Sequence, residues 1–157
     1  MDTTVEEQIV VAKKPTQKDY IFAIGRRKSS TAEVRLYKKD STVWGTTLVG
    51  RGEFFVNNKP ALEYFGKTFE KAYKQPLQIT GMEGKLAISI QVSGGGKMGQ
   101  LSAAILAIAR GLDKIDKEKF HSTLKKHGML SRDARVRERR KVGMGGKSRR
   151  RKQSPKR

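Results

Sequence analysis

Ser93-Gly94-Gly95-Gly96-Lys97-Met98-Gly99-Gln100 joins an alternating apolar run to a helical one. Glycines let backbone N–H groups close on an anion, and a following helix N-terminus adds a favourable dipole. Strand, glycine loop and helix therefore have the layout of a phosphate cradle. The loop departs from the nucleotide motif G-x-x-x-x-G-K-[ST], because Met98 follows Lys97 and Gln100 follows Gly99. A flanking βαβ unit with a later acid, the mark of dinucleotide binding, is missing too. Three readings stay open: an RNA backbone phosphate, a nucleotide, or a tight turn that binds nothing.

A second set is Gly25-Arg26-Arg27-Lys28-Ser29-Ser30. Its cations supply charge and its hydroxyls can bond phosphate or sugar oxygens; the alternative is a solvated basic turn. The third set is the C-terminal stretch. Residues 131–157 hold thirteen Lys or Arg against Asp133 and Glu138, a net +11. Too little apolar surface is present to offset the entropy of ordering it. Such a segment makes sense against a dense array of negative charge, most commonly a nucleic-acid backbone.

Enzymatic constellations are poor. His121 and His127 stand six apart, about 240° around a helix, so they do not share a metal-binding face. Asp113 and Asp116 sit among Lys114, Lys117 and Lys119, as in ordinary surface ion pairing. Phe65, Phe69 and Tyr73 read as core rather than as base-stacking platforms.

Elements must position these sets. Tyr20–Ile24 reads as a strand. Ala32, Val34 and Leu36 alternate with Glu33, Arg35 and Tyr37, the period of a half-buried strand. Residues 38–52 read as a loop or long hairpin holding Trp44, which either stacks on a base or covers a loop. Glu53–Val56 is a strand ending at the Asn57-Asn58 turn. Pro60 opens a short helix with Leu62 and Phe65 on one face, ending near Gly66. Thr68 is expected to cap the next helix, and Pro76 to stop it. Leu77–Thr80 and Lys85–Ser93 then read as a hairpin turning at Gly81–Gly84. Leu101, Ile105, Ile108, Leu112 and Ile115 make one buried helical stripe. Near Asp116 a further helix begins, with Phe120 and Leu124 packed and Gly128 as its stop. This order predicts an α+β domain, a small mixed sheet with helices packed on one face.

The chain has 157 residues, a formal charge of +20 and no cysteine. Without cysteine there is no disulfide framework, thiolate metal site or cysteine nucleophile, and the redox compartment stays open. The longest apolar run, Ala103–Ala109, is far short of the roughly twenty residues that span a bilayer. Acids at Asp2, Glu6 and Glu7 fit neither a secretory nor an organellar leader, so a cytoplasmic protein is expected. The organisation reads as a flexible extension at 1–18, a globular domain at 19–130 and an extended basic arm at 131–157.

The chain resembles the small-subunit ribosomal protein S-nine family. The matching stretches are GRRKSSTAEVRLY (25–37), VNNKPALEYFG (56–66), QPL (75–77), VSGGGKMGQ (92–100), ARGL (109–112), GMLSRDARVRERRKVG (128–143) and the closing Lys156-Arg157. They run in family order through most of residues 20–157. The resemblance implies a fold like the second domain of the fifth small-subunit protein, a topology also seen in GHMP-type kinases. It implies binding to small-subunit ribosomal RNA in the head, beside neighbouring head proteins. It further implies an arm whose tip, Lys156 and Arg157, touches the anticodon stem-loop of P-site tRNA. Carried over, Gly25, Arg26, Arg27, Lys28, Ser29, Gly94, Gly95, Gly96, Gln100, Arg132, Arg135, Arg139, Arg140 and Lys141 look like ribosomal-RNA contacts. Lys97 in the glycine loop and the cluster Arg149-Arg150-Arg151 in the arm join them on charge. The family often ends in Pro-Gln-Phe-Ser-Lys-Arg, whereas this chain has Gln153-Ser154-Pro155 before its last two cations. Ile105-Leu106 stand where the family often carries Arg-His. Asp40 to about Leu48 looks like an insertion.

The expectation is a non-enzymatic ribosomal protein with no cofactor, no metal, no membrane and no small-molecule substrate. The rivals are a small phosphotransferase using Ser93–Gln100, and a free nucleic-acid-coating protein.

Overall fold

The computed structural model describes residues 20–38, 41–44 and 47–142. The expected N-terminal extension, the glycines at 143–146, Arg149, Arg150, Arg151, Lys156 and Arg157 lie outside the described residues.

The alternating run forms β2 (Ser30–Tyr37), paired antiparallel with β1 (Tyr20–Arg27) on one side. On its other side lies β7 (Ala87–Ser93), also antiparallel. β5 (Phe54–Val56) runs parallel to β7, and the two-residue β6 (Lys59–Pro60) closes the edge. The order β1-β2-β7-β5-β6 is a mixed five-stranded sheet. β3 (Ser41–Trp44) and β4 (Thr47–Gly50) form a separate hairpin, so the stretch that looks like an insertion pairs with itself.

The helices pack on one face. α3 (Lys97–Ile115) crosses β1 and β2, and α2 (Glu70–Thr80) and α4 (Lys117–Lys126) pack against it. Ala32, Val34 and Leu36 from β2, Ile88, Ile90 and Val92 from β7, and Leu101, Ile108 and Leu112 from α3 are all buried there. Each large aliphatic side chain so buried contributes about 1.5–3 kcal/mol. Gly25 marks the closest approach, since a Cβ there would sit 2.0 Å from the Ala103 carbonyl oxygen. The opposite face is covered in part by the β3–β4 hairpin, where Val49 packs with Tyr37 and Ala87. That cover explains why Ala87, expected to face outward, is buried; Ser89, expected outward as well, is buried between the neighbouring strands at Arg35 and Phe55. The free edge of β1 is met by α3: Arg110 donates to the Ile24 carbonyl at 3.0 Å and Lys114 to that of Phe22 at 2.8 Å.

Four local expectations are corrected. Pro76 does not stop α2, which runs on to Thr80 and ends at a left-handed Gly81. Proline inside a helix costs about 3 kcal/mol, but Tyr73, Pro76 and Leu77 are all buried and their burial offsets it. Leu77–Thr80 is consequently helical, and β7 has no hairpin partner before it. Thr68 lies in a 3-10 turn, Lys67–Phe69, and no side chain among the described residues caps α2. In α1 (Ala61–Phe65), Ala61 and Phe65 bury while Leu62 is 41% exposed. Phe65 and Tyr73 are core as expected, with Tyr73 against Phe54 at 5.1 Å between ring centres.

Candidate nucleic-acid interface

The first two predicted sets meet. β1 and β2 close through a two-residue turn, Lys28-Ser29, with Arg27 opposite Ser30. Gly25, Arg26 and Arg27 thus belong to the strand, and only Lys28 and Ser29 form the basic turn. β7 ends beside it, since Thr31 pairs with Ser93. The glycine loop therefore leaves the sheet directly over the turn. Ser30 Oγ donates to the Gly94 carbonyl at 3.2 Å. A Cβ on Gly95 would fall 2.1 Å from Ser30 Oγ, and Gly95 has a φ of +61°. Closeness and left-handed backbone both demand glycine there. Much of the glycine content is thus explained by packing of loop on turn.

Gln100 holds the loop from inside. Its Nε2 donates to the Gly94 carbonyl at 3.0 Å, and its Oε1 accepts from the Tyr64 hydroxyl at 2.9 Å. Asn57 does the same for β7. Its side chain donates to the Val92 carbonyl at 3.0 Å and accepts from the Val92 N–H at 2.9 Å, as a neighbouring strand would. Tyr64 and Asn57 were not anticipated as supports. The Asn57-Asn58 pair signalled only a turn, and the partner Val92 is 35 residues away.

Above this frame α3 begins at Lys97 with Gly96 before it, and no side chain among the described residues caps its N-terminus. No acid lies in its first turn, and Lys97 is exposed. The helix therefore presents uncapped N–H groups and the positive end of its dipole close to Arg27 and Ser30, the residues that flank the basic turn.

The third set attaches at the same end of the sheet. Arg27, 18% exposed, reaches the start of the arm: its Nη2 lies 2.8 Å from Asp133 Oδ2. Its Nη1 donates to the backbone carbonyls of Asp133 at 3.3 Å and Arg135 at 3.0 Å. Arg135 closes on the same carboxylate through Nη2 at 2.6 Å and through its backbone N–H at 2.9 Å. These bonds, Arg135 first, hold the Asp133 carboxyl well below the ordinary carboxylate range. Arg27 and Arg135 are thereby engaged within the protein, while Arg26, Lys28, Arg132, Arg139, Arg140 and Lys141 are exposed. Asp133 was counted in sequence only as a minority charge. Its position between two arginines of the arm was the available signal.

His121 pairs with Asp113 at 2.9 Å, and Asp116 caps α4 by accepting the Lys119 N–H at 3.2 Å. No group of three metal-ligating side chains occurs among the described residues. The turn, the glycine loop, the start of α3 and the arm base form one basic corner suited to anions.

A family model described as ribosomal protein S9/S16 matches residues 25–157. The chain is 42% identical over 130 residues to the small ribosomal subunit protein uS9 of Maridesulfovibrio salexigens, covering 82% of this chain and 91% of that one. The like-named protein of Solidesulfovibrio magneticus is 39% identical over 129 residues, 82% of this chain and 90% of the relative. That of Renibacterium salmoninarum is 38% identical over 123 residues, 78% and 67% of the two. On these matches the chain belongs to the ribosomal protein S9/S16 family, and it is a non-enzymatic ribosomal protein.

Proposed function

We propose that the chain binds ribosomal RNA of the small-subunit head through its basic corner, and that its arm reaches P-site tRNA. The globular part, residues 19–130, docks on folded RNA, and residues 131–157 follow the backbone outward. The relatives' shared name supports a seat in the small ribosomal subunit, in the cytoplasm; the neighbours proposed there are other proteins of the head. The fold proposed is that of the second domain of the fifth small-subunit protein.

One observation carries the reading. Three separately predicted sets, 25–29, 94–100 and the start of the arm at 131–135, converge on one end of the sheet. A convergence of exposed Lys and Arg with an uncapped helix N-terminus matches a phosphate backbone folded around it. Recognition then depends on RNA shape more than on base edges. At the far end, Lys156 and Arg157 are the proposed tRNA contacts, with Arg149, Arg150 and Arg151 on RNA between.

The experiment is truncation of Gln153–Arg157. Small subunits carrying the shortened chain should assemble normally and bind P-site tRNA more weakly. Unchanged tRNA affinity removes the tip role. Failure of the full chain to co-sediment with small subunits in high salt removes the ribosomal reading itself.

A further inference from the structure

An open groove of about 410 Å³ lies between the end of β1, the early turns of α3 and the start of the arm. Its floor is aliphatic: Ile105, Leu106 and Met129. Its rim is polar, with Arg26, Gln75 and His127. The volume is within the range of small-ligand sites, and Arg27, Ser102, Ser131 and Asp133 add to its polar lining.

The chemistry narrows the occupant. A phosphate gains nothing from an aliphatic floor, because its charge is desolvated there without a partner. The flat face of a base loses no hydrogen bond on such a floor. Asp133 also lines the groove, but its carboxylate is already bound by Arg27 and Arg135, so it offers no vacancy for a cation. Arg26, exposed at the rim, has no protein partner among the described residues and is free for an anion. Bases stacked within a duplex cannot turn into a recess, whereas those of loops and bulges can.

We propose that this groove receives one unpaired nucleotide of the RNA strand the arm follows, its base lying on Ile105, Leu106 and Met129 and its phosphate on Arg26. The inference rests on the RNA-binding reading above and names the form of RNA taken at that corner.

The test uses the full chain with methyl-labelled Ile, Leu and Met, followed by NMR. It is titrated separately with a single-stranded RNA oligonucleotide, a blunt RNA duplex of equal length and inorganic polyphosphate. Backbone amides of residues 132–142 report binding by the arm. The expected result is a shift of the Ile105, Leu106 and Met129 methyls with single-stranded RNA only. Equal methyl shifts with duplex or polyphosphate overturn the proposal, since the groove then responds to charge alone. Static methyls while the arm amides shift with RNA also overturn it, and leave the RNA-binding reading standing. If no RNA shifts either set, the reading fails and the groove with it.

Discussion

The glycine loop and the arm base lie on either side of Arg27 and are fixed by opposite means. Residues 94–100 are held by shape: backbone packed on Ser29 and Ser30, with Gln100 and Tyr64 behind. Residues 131–142 contain no helix or strand and are almost wholly exposed. They are held by charge at one point, where Arg27 grips Asp133 and two carbonyls. The first region presents one preformed surface. The second fixes only where the arm leaves the domain. Pre-organised sites lose little entropy on binding, whereas segments that order on binding lose it then. The two halves of the proposed interface should therefore respond differently to substitution.

The largest effect is expected where the frame itself is crowded. Gly25→Val drives a side chain into the Ala103 carbonyl and the Ala107 amide of α3. Overpacking against backbone should cost about 3 kcal/mol, seen as a lowered denaturant midpoint with the slope unchanged. Gly95→Ala strains a left-handed backbone and meets Ser30 Oγ, and should cost about 2 kcal/mol. Ser30→Ala removes one of two donors to the Gly94 carbonyl, and Gln100 still supplies the other. About 1 kcal/mol is expected there, by the same measurement.

Arg27→Ala should sharpen the contrast from the other side. Unfolding should change little, while 15N relaxation of residues 132–136 shows the arm base released. An arm that stays as rigid would mean that the charge contact does not hold it. Acidification tests the same point with no substitution. The Asp133 carboxyl is depressed by Arg135 and then by Arg27, relative to an ordinary value of 3.8. Its contribution is therefore complete above that value and is lost as pH falls through the lower folded pKa. Between about pH 5 and 8 the arm base should not change, and in strong acid it should loosen.

Legibility in the sequence followed the range of the interactions. β2 and α3 were readable because the alternation of Ala32, Val34 and Leu36, and the stripe through Leu101, Ile108 and Leu112, are local periods that burial imposes directly. Asp116 as a helix start was readable for a different local reason, a side chain that accepts the Lys119 N–H. The passage of α2 through Pro76 was not, because a local cost was outweighed by burial against α3, α4 and the Phe54 ring, all distant in the chain. Which residues form the corner was legible by type, as glycines and cations. How they are spent was not. Ser30 meets Gly94 across 64 residues and Arg27 meets Asp133 across 106, and nothing in either stretch encodes the other. Arg27, Arg135 and Gln100 consequently combine an expected outward role with an inward one.

The two cations of α3 that sit against β1 have a consequence away from the interface. β1 is an edge strand, and its outer carbonyls are the acceptors a second chain would need in order to add a strand. Arg110 and Lys114 occupy those of Ile24 and Phe22. A newly made chain waiting for its RNA thereby has a blocked edge, and its own positive charge repels a second copy. Replacing both residues by methionine should leave the sheet intact and turn the free protein toward edge-to-edge aggregation.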